Sequence, residues 1–152
     1  MEIKRKYYKE TEYLLYSYKM FKISIENMRN EIEFLENEED GMTGINYDGI
    51  STSPTHKFSS ITEDAALSKS EKIDYLEHSI RRIESTLEGI DRALEGLSDI
   101  ERNVIVERYI EGLQWWQVGY KVKYSERHCK RIRTDAINKL AIGLNGDKAI
   151  EK

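Results

Sequence analysis

The side chains in this sequence whose types and spacing suit chemistry lie close together, between Ser125 and Thr134. Read as a helix capped by Ser125 and running to about Ala141, this segment puts Arg127, Lys130, Arg131, Thr134 and Asn138 on one face, because residues three and four apart are neighbours. Cys129, Ile132, Ala136 and Leu140 form the opposite, inward stripe. A helix that buries one side and offers Arg, Lys, Thr and Asn on the other suits the major groove of DNA. There arginine pairs with guanine edges, Glu126 can accept from cytosine, and other basic groups meet phosphates. The candidate DNA-binding residues are therefore Ser125, Glu126, Arg127, His128, Lys130, Arg131 and Thr134. A solvated charged face is common on any helix, but here a cap, a turn, a small residue and a basic face coincide.

Other chemistries find little support. The sequence has no phosphate-binding glycine loop, no metal-ligand spacing and no nucleophile beside a base, so neither an enzyme nor a cofactor is expected. Cys129 is the single cysteine and reads as packing. His56 stands alone in a loop, and His128 sits beside the basic face, where phosphate and solvent are equally good partners. No apolar run is long enough to cross a bilayer and no basic-then-apolar leader opens the chain, so a cytoplasmic protein is expected. The net charge of −4 hides an asymmetry. Residues 1–97 carry 13 Lys/Arg against 20 Asp/Glu, net −7, while 98–152 carry 11 against 8, net +3. The window 113–141 holds seven basic residues against Glu126 and Asp135, a local basic patch of the kind a nucleic-acid module needs.

The elements that must position these residues are all helical, giving an all-α fold class. Ser98-Asp99-Ile100-Glu101 is a capping box that opens a short helix to about Glu111, where Gly112 ends it, with Ile100, Val104, Tyr109 and Ile110 as core. Residues 114–122 form the next helix, with Trp115, Val118 and Val122 on a common face. Gly119 stands where the unit must allow close approach, and Lys123-Tyr124 makes the turn. Ahead of this lie two long helices with heptad-like seams. One spans about 3–37 through Leu14, Tyr18, Phe21, Ile25, Met28, Ile32 and Leu35. The other spans about 60–95, its seam running through Ile73, Leu76, Ile80, Ile83, Leu87, Ile90, Leu94 and Leu97, with a capping box at Ser60 and Glu63 and Gly96 as C-cap. Five tyrosines crowd the first helix (Tyr7, Tyr8, Tyr13, Tyr16, Tyr18) and read as packing. The Gly-containing stretch 38–59, with the sole proline Pro54, reads as a loop. An antiparallel hairpin closed by that loop buries both seams, and pairing between subunits is its rival. The expected layout is a hairpin scaffold over 1–96, a helix-turn-helix domain over 97–145 and a tail over 146–152.

The stretch from Leu97 to Leu140 resembles region 4 of sigma-70 family factors. The resemblance is carried by Leu97, Ser98, Glu101, Arg102, Arg108, Tyr109, Gly112, Ala136, Lys139 and Leu140, which keep the family's spacing over about 45 of the 152 residues. It implies a helix-turn-helix whose DNA-reading positions fall on Glu126, Arg127, Lys130 and Arg131. Two positions depart from the family pattern: Lys123 replaces the usual turn glycine, and Gln114 replaces a Ser/Thr cap. Nothing resembles sigma region 2, so a complete sigma factor is not implied. An acidic helical half joined to such a module is similar to phage and prophage late-gene regulators of the ArpU/RinA type, and Thr52-Ser53-Pro54-Thr55 fits that group. The implied function is a sequence-specific regulator, an activator, that binds double-stranded DNA as a homo-oligomer and contacts RNA polymerase. The alternatives are a small terminase subunit that recognises packaging DNA, and a sigma-4-like protein that binds polymerase without DNA.

Overall fold

A computed structural model describes residues 2–38 and 68–152. The rest of the loop expected at 38–59, with His56, and the Ser60–Glu63 capping box lie outside the described residues. Among the described residues the regular structure is helical: α1 (Arg5–Asn37), α2 (Lys69–Glu95), α3 (Asp99–Ile105), α4 (Trp115–Val122) and α5 (Glu126–Asn145). A π-helical turn, Val106–Ile110, continues α3, and a 3-10 turn, Gly146–Ala149, follows α5. The protein is all-α.

The chain divides into two compact units, residues 1–24 with 83–152, and residues 25–82. The expected boundary at 96/97 follows the change in helix length, whereas the packing follows the core. In the first unit one cluster joins Leu15 of α1 and Ile90 and Leu94 of α2 to Ile105, Tyr109, Ala136, Ile137 and Leu140. The start of α1 and the end of α2 thus form part of the floor on which the short helices sit. Tyr18 adds a 2.6 Å hydrogen bond to Asp91. In the second unit Ile25, Leu76 and Ile80 are buried, and Lys69 Nζ donates to the Glu38 carbonyl at 2.7 Å. Within each unit, then, the α2 seam is covered by its own chain. Ser68 and Glu71 exchange the two bonds of a capping box at the start of α2.

Three details depart from the sequence reading. Gly96 follows α2, but the exit uses three-residue turns (Gly96 N to Ala93 O and Leu97 N to Leu94 O, each 3.1 Å), and among the described residues Gly112 and Gly146 are the glycines with positive φ. Helix α5 runs a turn past Ala141, and Gly143 within it passes close to α2: a Cβ there would lie 3.4 Å from the Ala93 Cβ. The residues expected as a tail are held in place, because Ala149 is buried, Ile150 bridges Ile3, and Lys4 N donates to the Ala149 carbonyl at 2.8 Å.

The link from α2 to α3 is a polar hub. Ser98 and Glu101 form the expected capping box, and Lys139 of α5 reaches Glu101 at 2.6 Å. Arg102 turns back to donate to the carbonyls of Leu94 (3.1 Å), which also accepts from Leu97 N, and Leu97 (3.2 Å), placing a cation at the carbonyl end of α2. Burial works to raise the Glu101 carboxyl, but the Lys139 ammonium and the Ser98 donors outweigh it and hold it below its usual value.

Two outcomes are expected. Leu15→Ala should cost about 2–5 kcal/mol and loosen α3 to α5 together with α1, read as a lower urea midpoint by tryptophan fluorescence. Glu101→Gln should cost about 1 kcal/mol at pH 7. A carboxyl depressed in the folded state stabilises above its unfolded pKa and loses that contribution as pH falls through the folded value. Stability of the wild type should therefore fall more steeply than that of the variant from about pH 5 downward, checked by urea titrations across pH.

Candidate nucleic-acid interface

What fixes α5 is the turn before it. Lys123 adopts φ 61° and ψ 38°, the left-handed conformation that a glycine would take without a Cβ penalty. Tyr124 N then donates to the Gly119 carbonyl at 3.1 Å, and the chain crosses so near α4 that a Cβ on Gly119 would stand 2.7 Å from the Tyr124 carbonyl oxygen. Ser125 caps α5, its hydroxyl accepting from His128 N at 3.2 Å. At the start of α4 the Gln117 carboxamide accepts from Gln114 N at 2.9 Å, which explains how the helix starts without Ser or Thr at position 114. Beneath the turn Val104, Val118 and Cys129 form a small dry cluster flanked by Ile100, Leu113, Trp115, Val122 and Ile132. Burial pushes the Cys129 thiol up, consistent with packing rather than reactivity.

On the other side of α5 every proposed contact residue, Ser125, Glu126, Arg127, His128, Lys130, Arg131 and Thr134, is exposed. Glu126, Arg127, Lys130, Arg131 and Thr134 line one shallow open groove together with Arg133 and Asp135. Ser125 and His128 stand outside it, the first occupied as the cap and the second packed edge-to-face with Tyr124, ring centroids 4.7 Å apart. The Thr134 hydroxyl donates back to the Lys130 carbonyl at 3.0 Å. The cations differ in how they are neutralised. Lys19, Lys121 and Lys139 each lie within 3.0 Å of a carboxylate. Among the described residues, Arg127, Lys130 and Arg131 have no carboxylate at ion-pair distance.

Arg133 escaped the sequence reading. It lies on the inward arc of α5, 27% exposed, 3.8 Å from Glu12 of α1, and its Nε is buried with no acceptor. Glu12 in turn accepts from the Tyr109 hydroxyl at 2.7 Å, and burial followed by this bond drives the Tyr109 phenol well above its ordinary range. Trp115 gathers Arg108 (5.0 Å), Arg133 (5.5 Å) and Lys130 (6.0 Å) around its ring, and the last two of these also line the groove. The signal was present in the sequence: an arginine four residues after Cys129 falls between two apolar positions, where a charge needs a partner. Ile137 and Ala141, also fully buried, widen the inward stripe beyond the four residues expected.

The residues that carry the sequence resemblance serve architecture. Leu97, Tyr109, Ala136 and Leu140 belong to the main core, Ser98, Glu101, Arg102 and Lys139 form the polar hub, and Arg108 donates to the Leu113 carbonyl at 2.9 Å beyond the positive-φ Gly112. Compared with known proteins, residues 6–142 match the family described as Protein of unknown function (DUF722). The chain belongs to this family. The match takes in α1 as well as the helix-turn-helix, so the family unit includes the α1 residues that floor the core. No match was found among curated proteins or among solved structures.

The turn yields a pair of opposed outcomes for this DUF722 chain. Gly119→Ala should cost about 1–3 kcal/mol, because the new Cβ meets backbone rather than a movable side chain. Lys123→Gly should stabilise by about 1 kcal/mol by relieving the left-handed Cβ. Urea midpoints at constant m-value measure both.

Proposed function

We propose that this protein binds double-stranded DNA in a sequence-specific manner, reading the major groove with the start of α5, and that it regulates transcription of phage or prophage genes as an activator. The observation that carries the reading is the cluster of exposed cations, Arg127, Lys130 and Arg131, that have no carboxylate partner among the described residues and stand on the outer face of a helix locked at its start. A polyanion supplies the missing counter-charge, and release of its condensed ions adds to the affinity. Rigid placement suits base reading, which needs side chains aimed within a narrow range. The resemblance to sigma region 4 supports promoter DNA as the target and RNA polymerase as a further contact, with the chain acting in the cytoplasm as a homo-oligomer.

The test is a titration on a site chosen by in vitro selection and on scrambled DNA, at several salt concentrations. Arg127 and Arg131, one turn apart near the helix start, are assigned to bases. Each alanine variant should lose about 1–3 kcal/mol on the selected site and relax the preference at one base pair. Lys130, which also leans toward Trp115, is assigned to phosphate: Lys130→Ala should weaken all sequences alike and reduce the salt slope by about one. Folding should survive in all three, since none is buried. Folded Arg127→Ala and Arg131→Ala proteins with unchanged affinity and preference would remove α5 as the reading helix.

A further inference from the structure

Helix α1 carries a second apolar stripe, on the side away from its core. Tyr13, Tyr16, Met20 and Ile23 are 63%, 53%, 66% and 46% exposed, and their spacing of three, four and three sets them on one face. That face is opposite the buried Thr11 and Leu15. The crowd of tyrosines expected to pack therefore splits: Tyr8 and Tyr18 pack on the core, Tyr16 is half exposed with its ring 4.6 Å from that of Tyr109, and Tyr13 faces outward. Together the exposed parts of these four side chains present apolar surface of roughly a few hundred Å², the size of patch that marks an interaction site on a soluble protein.

The borders of the stripe decide what suits it. Ser17 and Ser24 flank one side, the Ser24 hydroxyl donating to the Phe21 carbonyl at 2.8 Å. Glu12 and Lys19 flank the other, and both are answered within the chain, Glu12 by Tyr109 and Lys19 by Glu111 at 2.9 Å. Between Tyr13 and Ile23 the stripe itself holds no charge. A polyanion or a charged partner finds no complement there. A second copy does. Two stripes laid antiparallel about a two-fold axis at position 18 set Tyr13 against Ile23 and Tyr16 against Met20, apolar on apolar in each layer, with small serines permitting close approach. Such a pair buries on the order of 1,000 Å² in total, the lower bound for a biological interface.

We propose that this protein forms a two-fold dimer through Tyr13, Tyr16, Met20 and Ile23 of α1. The dimer deepens the DNA-binding reading and rests on it for its purpose, since a two-fold pair presents two α5 helices to two half-sites. Sedimentation equilibrium of the full-length chain without DNA, from about 1 to 100 µM, tests it. The wild type should show twice the 17.9 kDa chain mass at the upper concentrations. Met20→Glu and, separately, Ile23→Lys should raise the dissociation constant at least about 100-fold, with helical circular dichroism unchanged. A wild type that stays at chain mass throughout overturns the proposal. So does association that persists in a folded variant, or loss of folding in both. The double variant Arg127→Ala, Arg131→Ala should keep the dimer mass. A protein that dimerises through this stripe yet binds no DNA defeats the reading of α5 and leaves the dimer standing.

Discussion

Two separate dry clusters share α5 as a wall, and the rest of the first unit is arranged around that requirement. Cys129 closes the small cluster with Val104 and Val118, while Ala136, Ile137 and Leu140 close the large one with Leu15, Ile90 and Ile105. A helix held at two points along its length can neither roll nor slide without opening one of them, at a cost of several kcal/mol for side chains of this size. Its outer face is therefore set by its inner one. The direction in which the exposed Arg127, Lys130 and Arg131 leave the helix is thus set by the core beneath them.

The same requirement explains why α1 cannot be a detached scaffold. Leu15 lies in the large cluster, and Glu12 supplies the carboxylate that the buried Tyr109 and half-buried Arg133 both need. Without α1, a phenol and a guanidinium would be left beside apolar surface with fewer partners, a change more costly than the loss of one surface ion pair. The Ser98–Glu101–Arg102–Lys139 hub works alongside this by using polar atoms that the helix ends leave over. Here the hydrogen bonds decide direction, since they set how α2 exits into α3, while the apolar clusters supply most of the stabilisation.

Local signals were legible in the sequence wherever one residue type has one physical use. The Ser98 capping box, the stop at Gly112, the tight approach at Gly119 and the Ser125 cap were all readable, and the inward stripe of α5 followed from its period. The left-handed Lys123 was readable as a conflict, because the turn demands a conformation that lysine disfavours. What was not legible depends on contacts distant in sequence. Nothing near Arg133 reveals that Glu12 answers it, and nothing near Leu15 shows that its core partners lie on α5. Periodicity also assigned one buried face to α1 and so could not separate the tyrosines that pack from those that face water.

The π turn at Val106–Ile110 holds one residue more per turn than the α-helix it continues, with Glu111 N reaching back to the Val106 carbonyl at 2.9 Å. Such a turn takes up one extra residue without breaking the helix. Removing one residue there would return the segment to α geometry and leave the capped start at Ser98 where it is. A relative shorter by one residue between Ile105 and Gly112 would thus differ in helix type, and an alignment that placed the gap in the neighbouring loop would shift the residues in between out of register.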